Sequence, residues 1–159
     1  MNILNAHGAS KKLVEWSDEY SVGIEEIDEQ HKVLVDLLNQ MHDAIHQRRG
    51  REVTDGILAR LGEYTKVHFA VEECLMRLFD YSGYEAHKHE HEQLIAELNQ
   101  LVEKLKAKNQ SISFELLHFL KLWLVKHIQE SDREYTAHFI SKGVRASYKK
   151  KSWLQRLFH

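Results

Sequence analysis

The chain has 159 residues, with 22 Lys and Arg against 24 Asp and Glu, so its overall charge favours neither nucleic acid nor an anionic membrane as a partner. Its single cysteine excludes an internal disulfide, and the N-terminal residues lack the apolar run of a secretory signal, so we expect a soluble, cytoplasmic protein. Prolines are absent and glycines number only seven, which leaves little to interrupt long helices.

Four segments have the three- and four-residue apolar spacing of amphipathic helices. The first begins with Asp28 as its N-cap and ends at the sequence RRG. The others run from about residue 54 to 80, from about 85 to 107 and from about 113 to 139. Because the connections are short, neighbouring helices should be antiparallel. The sequence therefore predicts an all-α, up-down-up-down four-helix bundle with an extra basic segment at the C-terminus.

Every predicted helix carries a histidine on its leucine stripe, where an unpaired imidazole would lose its water and gain no partner. Seven possible metal donors lie on these stripes: His31, His68, Glu72, His87, His91, His127 and Asp132. Seven donors exceed what one six-coordinate ion can hold, and a carboxylate can bridge two ions, so the pattern favours two metal ions. Nitrogen and oxygen donors without a thiolate favour iron, manganese or zinc, and donor softness does not decide between these three.

The spacing between His127 and Asp132 does not fit an ordinary α-helix. Five residues turn an α-helix by about 500°, which leaves the two side chains about 140° apart. We therefore predict that the fourth helix widens locally, or that Asp132 reaches the metals from the edge of the stripe.

The chain resembles the hemerythrins, in particular the single-domain bacterial ones, over about residues 16 to 139. The resemblance rests on four stretches: WSDEYSVGIEEIDEQHKVLVDLLNQM, HFAVEECLM, HKHEHEQL and WLVKHIQESD. It implies an oxygen-bridged, non-haem di-iron centre in which Glu72 and Asp132 bridge the irons. The resemblance further implies that three histidines complete one iron: His87, His91 and His127. The other iron, which keeps an open position for O₂, would have two: His31 and His68.

The function that this resemblance implies is reversible O₂ binding, for storage, delivery or sensing, without enzymatic turnover. Trp123 and Leu124 resemble the apolar Trp-Leu pair that lines the family's ligand pocket, although ordinary core packing explains them as well. Three alternatives stay open: a di-iron oxidase or peroxidase, a regulatory module that responds to O₂ or NO, and NO as the bound ligand.

The two ends of the chain are expected to lie outside the bundle, with residues 1–15 as an N-terminal extension, 16–139 as the bundle and 140–159 as a tail. From residue 141 onward the tail has six Lys or Arg and no acid. It also has four large apolar residues at helical spacing: Trp153, Leu154, Leu157 and Phe158. Such a segment can bind an anionic membrane surface, a protein partner or its own bundle.

Overall fold

A computed structural model describes residues 11–108 and 114–144 of the chain. All regular structure within these residues is helical, and a short 3₁₀ turn at Asp18–Tyr20 precedes the long helices. The helices are α1 (Glu25–His46), α2 (Arg51–Leu78), α3 (Tyr84–Ala107), α4 (Phe114–Lys126) and α5 (Arg133–Ser141), and a π-helical segment (His127–Asp132) joins the last two. None of the described helices is both long and apolar enough to cross a bilayer.

The long helices form an antiparallel bundle. Connections of four and five residues join α1 to α2 and α2 to α3, and they are too short for anything but antiparallel neighbours. Helix α1 packs on α2 and α4, and α2 packs on α3. The predicted all-α, up-down-up-down four-helix bundle is thus confirmed. Side chains with no more than 2% of their surface exposed form its core, among them Leu34, Leu38, Met41, Leu61, Leu117, Leu120 and Leu124 from the predicted stripes. Ile27 and Met76, which the predicted stripes did not include, belong to the same core.

The prediction that Asp28 is the N-cap of the first helix is wrong. Helix α1 begins three residues earlier, at Glu25, and Asp28 lies buried within it. The Asp28 carboxylate instead accepts hydrogen bonds from the backbone N–H of Val22 (2.8 Å) and from the hydroxyl of Ser21 (2.5 Å). Asp28 therefore satisfies donors of the turn that leads into the helix, which is a common role for a short acidic side chain.

The fourth helix widens where the sequence spacing required it. Over His127–Asp132 the backbone forms a π-helical segment, in which hydrogen bonds join residues five apart. This segment accommodates one residue more than an α-helix of the same length would. His127 and Asp132 both lie buried in the core as a result. The predicted local widening is confirmed.

Helix α5 ends at Ser141, two residues beyond the predicted end of the fourth helix. Gly143 follows with a φ of 100°, and the N–H of Val144 bonds the carbonyl of Phe139 at 3.1 Å, which is the Schellman ending that glycine favours. Residues 11–15 of the predicted N-terminal extension are described, and Val14 among them is buried in the core with its backbone bonded to the Asn39 side chain. Residues 1–10 and the predicted basic tail, from residue 145 onward, lie outside the described residues.

Candidate metal centre

The seven predicted donors meet in the middle of the bundle. Each has no more than 5% of its surface exposed. Their nitrogen and oxygen atoms form two overlapping clusters, within each of which all donor atoms lie within 4.8 Å of one another. The first cluster contains His31, His68, Glu72, His127 and Asp132, and the second contains Glu72, His87, His91 and His127. One donor comes from α1 and two each from α2, α3 and the π segment, so all four sides of the bundle contribute.

The carboxylate of Glu72 lies between two groups of imidazoles. Its Oε1 is 2.9 Å from His68 Nε2 and 3.8 Å from His31 Nε2. Its Oε2 is 3.1 Å from His91 Nε2 and 3.6 Å from His127 Nε2. The two oxygens of this single side chain therefore face different histidines.

The carboxylate of Asp132 has the same arrangement. Its Oδ2 is 2.7 Å from His31 Nε2, whereas its Oδ1 is 3.1 Å from His127 Nε2 and 3.6 Å from His87 Nε2. Both carboxylates thus present one oxygen to the side of the site that holds His31 and the other to the side that holds His127. Such a placement allows a carboxylate to bridge two cations.

Many buried donor atoms of the site lack a hydrogen-bond partner among the described residues. Those that face the other donors are Glu72 Oε2, the Nε2 atoms of His87, His91 and His127, and both carboxylate oxygens of Asp132. Although Asp132 Oδ2 lies close to His31 Nε2, the two atoms are not aligned for a hydrogen bond. A buried polar atom without a partner costs about 1–3 kcal/mol. Atoms that converge in this way without bonding one another fit metal cations as their missing partners.

The two carboxylates have opposite electrostatic environments. Burial disfavours the charged form of Glu72, but the interactions with His68 and His127 hold its pKa well below the usual range. Burial and the charge of Glu72 raise the pKa of Asp132 well above its usual range. Burial lowers the pKa of His127 to about 4, whereas for His87 the interactions with Asp132 and Glu72 outweigh burial and raise the pKa to about 9. The metal-free site thus keeps protons that bound cations would displace.

Three side chains outside the predicted set orient the donors. His68 Nδ1 lies 2.6 Å from Gln30 Oε1, and His91 Nδ1 lies 2.9 Å from Glu73 Oε1. Because both partners are acceptor oxygens, each Nδ1 carries the proton and each Nε2 is left free to bind a metal. The Tyr135 hydroxyl donates a hydrogen bond of 2.5 Å to Glu72 Oε1.

The sequence reasoning missed these three side chains. Gln30 and Glu73 are next to donors in the chain rather than on the donor stripes. Tyr135 follows Asp132 by three residues, a helical spacing that could have indicated it.

Aromatic and aliphatic side chains line the donors. The Phe69 ring stacks on the His91 ring at 3.7 Å between centroids, with 4° between the planes. The Trp123 ring lies nearly parallel to the His127 ring, with 5.9 Å between centroids. Leu124 has 1% of its surface exposed and packs in the core. Of the predicted pocket pair, Trp123 therefore lies against His127, and Leu124 is buried in the core three residues before His127.

Comparison with known proteins places this arrangement in one family. The model of the hemerythrin HHE cation-binding domain matches residues 22–139. A bacteriohemerythrin of Pseudomonas aeruginosa (strain LESB58) is 33% identical over 144 residues, which cover 89% of this chain and 92% of the relative. A bacteriohemerythrin of Stenotrophomonas maltophilia (strain R551-3) is 34% identical over 123 residues, which cover 77% of this chain and 79% of the relative.

Solved structures show the same likeness. The crystal structure of a hemerythrin point mutant has a TM-score of 0.75 with 29% identity, and the match covers 80% of this chain and 98% of that chain. Wild-type hemerythrin gives a TM-score of 0.73 with 30% identity and covers 79% and 96% of the two chains. The resemblance that the four sequence stretches suggested is confirmed by these comparisons.

Proposed function

Since the chain belongs to the hemerythrin HHE cation-binding family, we propose that it binds O₂ reversibly at a non-haem di-iron centre, for storage, delivery or sensing. The proposed ligands are the seven side chains of the two clusters: His31, His68, Glu72, His87, His91, His127 and Asp132. We propose residues 16–139 as the domain that holds the centre, and the cytoplasm as its compartment. The exposed, unpaired Cys74 agrees with a reducing compartment.

The observation that carries this proposal is the orientation of the two carboxylates. Glu72 and Asp132 each direct one oxygen to the side of His31 and the other to the side of His127. A single ion would contact only one of the two sets of imidazoles that each carboxylate faces. Two cations with Glu72 and Asp132 between them would satisfy the unpartnered carboxylate oxygens and Nε2 atoms of the site. We assign the His31 and His68 side to the iron with the open position.

For O₂ to bind reversibly, it must accept electrons on binding and return them on release. Water must not displace the reduced oxygen from the site before then. When two ferrous ions are bound, they supply the two electrons that O₂ accepts on binding and returns on release. The chain would hold these ions with imidazole nitrogens, and in His68 and His91 the hydrogen bonds to Gln30 and Glu73 keep the proton on Nδ1, so that Nε2 is available to the ion. Phe69, Trp123 and Leu124 would keep water away from the site, which would protect the bound state.

The test is anaerobic loading of the purified chain with ferrous iron, followed by air and then by degassing. We expect two irons per chain and a visible absorption band that appears with air and disappears on degassing, over repeated cycles. An iron content of one or less per chain would contradict the di-iron assignment. A band that forms once and never reverses would contradict reversible binding.

An enzymatic function is the second candidate, and Tyr135 is the observation that favours it. The fully buried Tyr135 phenol touches Glu72, so an oxidisable proton donor lies next to the proposed irons. Against it stands the donor set, since di-iron carboxylate enzymes of the ferritin type use more carboxylates and Glu-x-x-His pairs. Consumption of a reductant with each O₂, in the same loaded sample, would establish the enzyme.

NO remains an alternative ligand, and the same sample tests it when air is replaced by NO.

A further inference from the structure

A groove runs along the outside of the bundle next to the candidate metal centre. It lies between α3 and the α4–π segment and encloses about 500 Å³. At one end the Ser131 hydroxyl donates a 2.8 Å hydrogen bond to Glu90, which links the two walls. Trp123 and His127 belong to its lining, so the groove is the outer side of the wall that protects the centre. We call it the α3–α4 groove.

The α3–α4 groove has an apolar floor and a mainly acidic rim. Its apolar side chains are Leu94, Phe119, Leu122 and Trp123, and Leu122 has 56% of its surface exposed. Its rim has three carboxylates and one cation: Glu90, Glu97, Glu130 and Lys126. Apolar side chains surrounded by acidic groups fit a segment that is both basic and apolar.

The C-terminal residues 145–159 have this complementary composition. They contain five cations and no acid: Arg145, Lys149, Lys150, Lys151 and Arg156. They also contain Trp153, Leu154, Leu157 and Phe158, which are spaced as on one face of a helix. This segment therefore combines cations that complement the acidic rim with large apolar side chains that match the apolar floor.

The segment is long enough to reach the groove. Helix α5 ends at Ser141, and Lys126 lies fifteen residues earlier, in the middle of the groove wall. At 1.5 Å per helical residue, the distance from Ser141 back to Lys126 along the helix is about 22 Å. The left-handed Gly143 then turns the chain away from the helix axis. Residues 145–152 can span about 26 Å at roughly 3.3 Å per residue, which brings Trp153 to the level of the groove.

We propose that residues 145–159 dock in the α3–α4 groove of their own chain, with the large apolar side chains on the floor and the cations against the acidic rim. Because the segment is tethered, its effective concentration at the groove is on the order of millimolar, so even a weak contact would keep the groove occupied. The docked segment would cover the outer face of Trp123 and His127. The proposal does not depend on which metal or gas the centre binds.

Disulfide trapping tests the proposal directly. In the iron-loaded chain with Cys74→Ser, a Gln93→Cys change on the groove rim is combined with Ser152→Cys. The matched control combines Ser152→Cys with Glu63→Cys, because the Glu63 side chain is 77% exposed on α2, which does not border the groove. We expect an intrachain disulfide to form at least tenfold faster with Gln93→Cys than with Glu63→Cys. Equal rates would overturn the proposal, as would disulfides found only between two chains.

The charge contribution is tested in the same Gln93→Cys and Ser152→Cys chain. Because the rim is acidic, replacing Lys149, Lys150 and Lys151 by Gln, or raising NaCl to 1 M, should reduce the trapping rate severalfold. A rate that neither change reduces would contradict docking by charge. Cosedimentation with vesicles of phosphatidylglycerol and phosphatidylcholine, together with equal trapping at the groove and at Glu63, would instead assign the segment to a membrane surface.

Discussion

Two histidines of the candidate metal centre donate hydrogen bonds to different kinds of acceptor, the amide of Gln30 and the carboxylate of Glu73. His68 donates its Nδ1 proton to a neutral amide, whereas His91 donates its proton to a carboxylate. A carboxylate makes the opposite ring nitrogen a stronger ligand than an amide does. The two sides of the site should therefore hold their ions with unequal strength, the His91 side more tightly.

Exchanging the carboxylate for an amide tests this inequality. Glu73→Gln preserves the size and an acceptor oxygen but removes the charge, so the affinity for iron on the His91 side should fall about 10-fold or more. The measurement is iron per chain during competition with a chelator. Glu63→Gln, on the exposed surface of α2, should leave the retention of iron unchanged. Equal retention in all three proteins would show that Glu73 does not tune the site.

Leu124 tests the role of the apolar wall. An Asn in this position would bring water beside the donors, so the oxygenated protein should autoxidise to the ferric form severalfold faster. The half-life of the reversible absorption band measures this rate. Val67→Asn, in a position on α2 that is 58% exposed and outside the α3–α4 groove, is the control and should keep the original half-life. An unchanged half-life for Leu124→Asn would remove Leu124 from the protective wall.

At the scale of the secondary-structure element, the π segment is an α-helix with one extra residue. Removing one residue from it should restore an α-helix and leave everything beyond it in its original orientation. His127 and Asp132 would then be four residues apart, which an α-helix places about 40° apart on one face. The deletion is therefore predicted to preserve the fold.

Two single deletions distinguish this interpretation. Deleting the exposed Glu130 should keep the thermal unfolding midpoint of the metal-free chain within a few degrees, by circular dichroism. Deleting the exposed His118 from α4 should rotate the two parts of α4 by about 100° relative to each other and lower the midpoint by more than 10 °C, because buried leucines on one side of the deletion lose their core contacts. Similar losses for both deletions would show that the extra residue is needed for stability.

The elements that follow from apolar spacing alone could be predicted from the sequence, and so could the π segment, because His127 and Asp132 cannot share a face of an α-helix. The start of α1 could not be predicted in the same way. Asp28 fits the pattern of an N-cap, but its carboxylate bonds Ser21 and Val22, whose position depends on the packing of the preceding turn. Local propensity does not contain that information.

At the scale of the whole molecule, the meeting of the seven candidate donors could be predicted and their supporting partners could not. The donors lie on stripes that any four-helix bundle turns inward. Gln30 and Glu73 instead point to histidines on neighbouring helices, 38 and 18 residues away in the chain. Which side chains meet there depends on the rotation of each helix about its axis, and the spacing along one helix does not fix that rotation.

Metal binding should stabilise the entire bundle, because the donors come from all its sides. An ion at 100 times its dissociation constant adds about 2.7 kcal/mol to the free energy of unfolding. For a chain of this length that corresponds to roughly 5–10 °C in the unfolding midpoint. Differential scanning calorimetry of the metal-free and the anaerobically iron-loaded chain measures the shift. His31→Ala, which removes the donor of α1, should lose a large part of it, and a full shift in this variant would contradict the role of His31.

The distribution of donors over the helices has a consequence for the lifetime of the protein in a cell. Since α1 would contribute one of the proposed ligands and α2 and α3 two each, a copy in which any of these helices has detached from the bundle could no longer enclose two ions. Partly unfolded or partly proteolysed copies would therefore release bound iron before they are fully degraded. The fold would thereby return a scarce nutrient and keep the reactive metal out of misfolded debris.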